Sequence, residues 1–445
     1  MKLFSNTFKM TNRYTLLVIL LSIISYYLFA YTTVRTNFPK VLSYYSLLFI
    51  GFAILYQYSN LSNRTLLIIG VLFRFIFLVA TPNLSDDFYR FLWDGRALLD
   101  GINPYLVLPE NNPNLIAEGS TLYQGMGTMN GSHYTCYPPL NQFAFGIPAL
   151  FAPNHLLTST IVLRITLILS DLVTLYFGFK LLKHFKLDSR KIFLYFLNPF
   201  IIIELTGNLH YEGMMIAFLA ASLYFLFREK NNLSAILFAA AVSIKLIPLI
   251  FLPVFYKKLG FKKWFIYGSI VCSINVLLFL PFLSQDLIDN FMSSIELYFQ
   301  NFEFNASIYY IVREIGYRIK GYNIIHTVGR ITPLIIIAIT LLISFVRKNE
   351  KKTILFTSML WIICSYYFLS SIVHPWYIAI PLFLSLFTKF NFPLVWSYAI
   401  VLSYSAYISS KYHENLWLVG LEYILVLGWM VVELTQWKLI SKLRS

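Results

Sequence analysis

The sequence predicts an all-α polytopic membrane protein, and three observations carry that prediction. Of its 445 residues, 58% are hydrophobic and only 12% charged, with a mean hydropathy of +0.67, whereas soluble domains carry about 25% charged residues. Apolar runs long enough to span a bilayer, or half of one, recur along the whole chain. Lys and Arg collect in alternate connections between those runs, the pattern that marks cytoplasmic loops.

The first runs fall at about 14–32, 41–58 and 65–81, and after a long polar connection come 156–179, 192–206, 214–227, 233–244, 246–256 and 265–283. A second long connection precedes 331–345, 353–371, 377–387, 392–408 and 416–437. Backbone groups inside a bilayer must be bonded within their own segment, so each run reads as helix, in a bundle of about 12 to 14. Several runs are shorter than the ~20 residues of a full crossing and are expected to tilt or to pair as half-length hairpins.

Orientation follows from the cations. With Lys2, Lys9 and Arg13 in the cytoplasm, Lys180 to Lys191, Arg228 with Lys230, Lys257 to Lys263, Arg347 to Lys352 and the tail Lys438, Lys442 and Arg444 share that side. The connections 82–155 and 284–330 then face outward. The formal charge of +15 therefore reflects topology and contact with anionic lipid, not a nucleic-acid surface. The first run has spanning length and no small-residue cleavage site after it, so it is expected to stay as an anchor. Cys136, Cys272 and Cys364 form no CxxC, and neither a disulfide nor a cysteine metal site is expected. No internal repeat or long linker divides the chain, which reads as one membrane domain over 1–445.

The chemistry is concentrated just past the third run, in "SDDFYRFLWDGRALLDGINPY", residues 85–105. From Asp86 the pattern predicts a short amphipathic helix at the outer membrane surface, N-capped by Ser85 or Asp86. Asp87, Arg90 and Asp94 fall on one face, while Phe88, Phe91 and Leu92 face lipid or protein. Gly95 and Gly101 weaken the helix and Asn103-Pro104 ends it. Capping and an Arg90 ion pair would explain these charges structurally. Adjacent carboxylates at a membrane boundary are costly, however, and a carboxylate there can take the proton of an incoming hydroxyl.

The string "DDFYRFLWDG", then "GINPY", then "YPPL" at Tyr137 to Leu140, resembles the first outer loop of GT-C glycosyltransferases, in particular mannosyltransferases that use a polyprenyl-phosphate sugar. The resemblance continues through "LNPFIIIELTGNLHYEGMM" (Leu197 to Met215), "SIKLIPLIFLP" (Ser243 to Pro253), "FEFNASIYY" (Phe302 to Tyr310) and "VHPWY" (Val373 to Tyr377). It implies a GT-C-like bundle, an inverting transfer and an outward-facing active site. Asp86 best matches the family's catalytic acid, with Asp87 as neighbour or substitute. Relatives often read Asn-Asp where Tyr211-Glu212 stands, a departure that argues against a substrate role for Glu212.

Other ionisable residues are candidates for the same site. Lys245, between two half-length runs and followed by Pro248, is placed by the topology near an outer apex, where a cation would bind the phosphate of a lipid carrier or simply snorkel. His210 and His374 sit at outer ends of membrane segments, as cavity-lining or interfacial residues. Arg164 and Asp171 share a helix face and are expected to satisfy one another, with Arg164 a candidate for the bundle interior. Arg313, Arg318, Lys320 and Arg330 make the second outer connection basic, against the topology rule.

The expected function is transfer of a hexose, most plausibly mannose, from a polyprenyl-phosphate donor to a glycan or lipid-linked acceptor. In that scheme Asp86 or Asp87 is the base, Lys245 holds the departing phosphate, and Arg90, Asp94, His210, His374 and Arg164 assist substrate binding. No cofactor is expected, no glycine-rich phosphate loop is present, and a metal held by Asp86 and Asp87 is not required. Composition points to a bacterial inner membrane. The rival readings are a transporter of lipid-linked sugars, which would place its ionisable residues between repeated halves near the midplane, and a non-catalytic assembly subunit.

Overall fold

Two helices of full crossing length open the chain, α1 (Asn12–Thr32) and α2 (Phe38–Tyr58). The turn between them closes on Asn37, whose side chain accepts the Lys40 N–H at 3.2 Å. Pro39 in the first turn of α2 has no N–H to leave unbonded. Helix α3 (Asn63–Ile76) is capped by Ser62 in the same way. The computed structural model describes residues 10–409 and 412–442, so Lys2, Lys9 and Arg444 lie outside the described residues.

The first long connection, the one the sequence reads as outer, holds α4 (Asp87–Leu99), α5 (Gly119–Gly131) and α6 (Pro139–Phe151), packed on one another. A long α7 (Leu156–His184) follows. Beyond it come α8 (Glu212–Phe227), α9 (Asn231–Ile244), α10 (Phe261–Phe279), α11 (Leu287–Gln300), α12 (Ile308–Lys320), α13 (Ile325–Val346), α14 (Lys352–Leu369) and α15 (Leu416–Lys442). Among the described residues, seven helices are long and apolar enough to cross a membrane, eight if the segment Pro199–Gly207 and α8, bent by 113°, count as one broken span.

Four of the short apolar runs are irregular, and in each a proline opens a new segment. The run at 192–206 becomes single turns followed by a π-helical Ile202–Gly207; 246–256 becomes a 3-10 helix, Ile247–Phe255. The run at 377–387 becomes Pro375–Ile378 and Ala379–Ser385, and 392–408 becomes Phe392–Ala399 and Ile400–Tyr407. Pro199, Pro248, Pro375 and Pro393 each stand in the first turn of these segments, where a missing N–H costs nothing but a preceding helix cannot continue through it. Helical periodicity in the sequence could not show this, because a 3-10 segment of nine residues is as apolar as a helix.

The predicted basic connections do gather at one end of the bundle. There Arg190 donates to the carbonyls of Leu61 and Tyr56, Lys352 to that of Phe185, and Lys258 lies over the Phe227 ring. At the other end the α1–α2 turn, the first outer connection, Lys245 and the segment around His374 meet. Among the described residues one parallel bridge, Phe304 with Ile372, ties the second outer connection to that end.

Of the two settings expected for helix α4, lipid or protein, the structure shows the second: Phe88, Phe91 and Leu92, with Trp93 and Asp94, are all buried within the protein. The helix lies so close to α6 that a Cβ on Gly95 would meet the Phe145 carbonyl oxygen at 1.9 Å. Gly95 is thus a packing residue. The helix stops at Leu99, where Ile102 N–H reaches back to the Ala97 carbonyl at 2.8 Å and Gly101 takes a left-handed φ of 75°.

Candidate active site

A cavity of about 940 Å³ opens at the end where the outer connections meet. Its polar rim is formed by Arg35, Asp86, Asp87 and Arg90, by Lys245, and by the rings of His374, Trp376 and Tyr407; its apolar floor runs between Ile247–Phe255 and α13.

Asp86 is the N-cap of α4 and Asp87 its first residue, so both carboxylates sit at the positive end of the helix. Asp86 pairs with Arg35 at 2.5 Å, and both side chains are about a third exposed (39% and 33%). Arg35 comes from the α1–α2 turn and lies over the Tyr407 ring at 4.9 Å. Asp87 has no such ion pair; Asn130 Nδ2 donates to it at 3.3 Å. Burial pushes the Asp87 carboxyl up to about 6, against the opposing pull of the Lys245 charge and the Asn130 hydrogen bond.

Arg90 and Asp94 hold α4 in place. Arg90 Nε donates to Asp94 Oδ1 at 2.7 Å, and its Nη1 to the carbonyls of Asn130 and His133 at 2.6 and 2.7 Å. Gln142 Nε2 donates to the other Asp94 oxygen at 3.2 Å and to Thr135 at 2.7 Å. Asp94 is fully buried and off the cavity, while Arg90 reaches its rim. The pair lashes the carboxylate-bearing helix to the α5–α6 linker. The quoted motifs meet here too: the Tyr105 hydroxyl donates to the Tyr137 carbonyl at 2.7 Å.

Lys245 ends α9 in an extended conformation. Its Nζ bonds Glu212 Oε1 at 2.5 Å, with Glu212 wholly buried at the start of α8 and Lys245 facing the cavity. Glu212, which the sequence argument sets aside, is therefore the partner of the candidate phosphate ligand. His210 is buried behind the wall. Its ring stacks on Trp376 (3.6 Å between centroids), which stacks on His374 (4.6 Å), which lies against Phe304 (5.1 Å). Burial and the nearby Lys245 charge lower His374 to about 3, so it is neutral at physiological pH and offers the cavity one donor and one acceptor nitrogen.

Arg164 is a correction. It is fully buried away from the cavity, donating to the carbonyls of Leu78, Thr206 and Gly207 at 2.8, 3.0 and 3.1 Å. It satisfies the end of the π-helical segment. Nor does it pair with Asp171, since seven residues put about 10.5 Å between them along the helix. Asp171 is bound by Arg74 of α3 at 2.8 Å instead.

Arg35 was absent from the sequence-derived candidates. It stands with Lys40 in the short connection between the first two runs, and nothing local in the sequence points from it to Asp86.

Residues 21–258 match the family described as Alpha-(1->6)-mannopyranosyltransferase, N-terminal domain, and residues 208–438 match the ALG3 protein family. The chain belongs to the polytopic GT-C mannosyltransferases. The two matches overlap across the stretch that carries His210, Glu212 and Lys245. Among curated proteins, the chain is similar to Alpha-(1->6)-mannopyranosyltransferase A of Mycobacterium tuberculosis, with 25% identity over 177 residues, 40% of this chain and 33% of the relative. The protein of the same name from Corynebacterium glutamicum is 25% identical over 180 residues, 39% of this chain and 34% of the relative. The matched stretch thus spans about a third of these relatives' length.

Proposed function

We propose that the protein transfers mannose from a polyprenyl-phosphate donor to a glycan or lipid-linked acceptor on the extracytoplasmic face of a bacterial inner membrane. One observation carries the reading: a carboxylate pair and a lysine share the rim of a cavity whose floor is an apolar groove open to lipid. Leu249, Ile337 and Leu341 line that groove and are exposed on the bundle surface. An amphiphile with an anionic junction between sugar and chain matches this distribution. A transporter of such lipids would need an exit at the opposite end, and the charged groups of this cavity gather at one end only.

The acceptor hydroxyl attacks the anomeric carbon while its proton passes to the carboxylate pair. Family resemblance favours Asp86 as the base; the electrostatics favour Asp87, which carries no ion pair and whose raised proton affinity suits a base working near neutrality. We assign the proton to Asp87 and the orientation of the acceptor to Asp86, held by Arg35. The bond from the anomeric carbon to the phosphate oxygen breaks, and Lys245 stabilises the charge that grows there. A β-linked donor then yields an α-linked product, in keeping with the α-linkage in the relatives' names. The reading routes the transfer through side chains, without a metal. Purified protein in nanodiscs, given polyprenyl-phosphate mannose and a panel of mannosyl acceptors, tests it. Transfer that Asp87→Asn abolishes in a folded protein supports the assignment; transfer lost only in Asp86→Asn reverses the two roles. Donor binding with no transfer to any acceptor refutes the enzyme reading.

A further inference from the structure

Helix α12 carries three distinct faces along its 13 residues. Tyr309 and Gly316 are buried against the protein, Gly316 so tightly that a Cβ would meet the Ile324 side chain at 2.6 Å. Ile308, Ile311, Ile315 and Ile319 form a second face, within an arc of about 80° at 3.6 residues per turn. All four are between 41% and 72% exposed. Glu314, Tyr317 and Arg318 make the third face, with Arg318 bordering the isoleucine stripe, and Lys320 is exposed at the helix end beside the protein contact.

An apolar stripe lying sideways to both the protein contact and the polar face is the pattern of a helix lying flat on a bilayer beside the body it belongs to. Two further observations say what covers the stripe. First, α12 is followed within a few residues by α13, a helix long and apolar enough to cross a membrane, whose second and third turns expose Ile331, Leu334 and Ile335. Second, the flank is cationic. Arg318 and Lys320 lie in the helix and Arg330 in the second turn of α13; Glu314, the one acid from Ile308 to Arg330, pairs with Arg318 at 3.0 Å and leaves the positive charge of Lys320 and Arg330 uncompensated within that stretch. That excess stands at the end of the bundle where the topology rule expects few cations.

We infer that α12 is seated in the headgroup boundary of the membrane, its isoleucines among acyl chains and its cations on anionic phospholipid headgroups. The seat bears on the cavity through residues just before it. Arg313 and the Tyr309 hydroxyl hold Glu303, and Tyr310 holds Glu414, which also accepts the Asn305 N–H at 2.5 Å. Phe302 and Phe304, on either side of Glu303, line the cavity. The inference concerns the bilayer and is independent of the activity proposed above.

Hydrogen exchange of the full chain in nanodiscs, read on peptides covering α12, tests it with one protein copy per disc. In discs of phosphatidylcholine containing about a third phosphatidylglycerol, exchange is expected to be about tenfold slower than in phosphatidylcholine alone. Arg318→Gln with Lys320→Gln removes that difference and leaves the protection in phosphatidylcholine. Ile315→Glu raises exchange in both lipids, with peptides from α7 unchanged as the folding control. Equal exchange in the two lipids, or a lipid effect that the charge variants leave intact, overturns the assignment to anionic headgroups. Protection that appears only when two copies share a disc overturns the lipid seat itself and makes the stripe a contact between copies.

Discussion

The pair Lys245–Glu212 offers the sharpest separation of a catalytic role from a structural one. Its bond is 2.5 Å long, and Glu212 is wholly buried while Lys245 meets the cavity. Replacing Lys245 by Gln does two things. It removes a charge-assisted bond to a phosphate, about 1.5–3 kcal/mol, which lowers kcat/KM for the donor by roughly tenfold to over a hundredfold. It also strands a buried carboxylate, at about 3–5 kcal/mol of stability. The double variant Lys245→Gln/Glu212→Gln removes the stranded charge and so recovers most of the lost stability, with no recovery of activity. Thermal unfolding in nanodiscs and donor kinetics on the two single variants and the double form the cycle. If activity returns with stability in the double variant, Lys245 serves only to neutralise Glu212, and its assignment to the phosphate is wrong.

Other consequences are as direct. Because burial raises Asp87 to about 6, the base is protonated and inactive below that pH; the chemical rate should fall about tenfold per pH unit under pH 6 and level off above it, and a flat profile from pH 5 to 8 would remove Asp87 from the proton transfer. Gly95→Ala drives a methyl into the Phe145 carbonyl and should cost about 1–3 kcal/mol, seen as a lower Tm, with cavity residues untouched. Arg164→Gln leaves the carbonyls of Thr206, Gly207 and Leu78 short of donors. It should lower folded yield while the surviving protein keeps its KM for the donor; a raised KM would return Arg164 to the site.

Much of the fold was legible because lipid imposes length and apolarity, and basic connections mark one side. What periodicity could not give was the backbone geometry of the short runs, where Pro199, Pro248, Pro375 and Pro393 open segments that include 3-10 and π turns inside equally apolar sequence. In the site, Asp86, Asp87, Lys245 and His374 stood out as charged or titratable groups at membrane boundaries, and they do share one cavity. Their partners did not stand out. Arg35 reaches Asp86 from 51 positions earlier, and Arg74 takes Asp171 from 97 earlier; such pairings are made by tertiary packing and leave no local trace. The converse error was Arg164 with Asp171, where a shared face on one helix suggested a contact that the helical rise forbids.

The groove gives the last test, and it depends on where the donor's chain comes from. A polyprenyl chain entering between Ile247–Phe255 and α13 leaves lipid, not water, so it gains little hydrophobic free energy; acyl chains are as apolar as Ile337 or Leu341. The value of about 0.8 kcal/mol per buried CH₂ applies to transfer from water and would overstate the affinity here. Discrimination must then rest on shape. Ile337→Trp, which fills the groove but keeps it apolar, should raise KM for long-chain donors in nanodiscs by tenfold or more while sparing a one- or two-isoprene donor too short to reach it. For wild type the reverse contrast holds: in a detergent-free bilayer, KM should change little once the chain passes the groove's length. A variant that slows short and long donors alike would mean that Ile337 shapes the sugar site and that the chain runs elsewhere. Equal kinetics with both donors and both proteins would mean that no chain enters this groove at all.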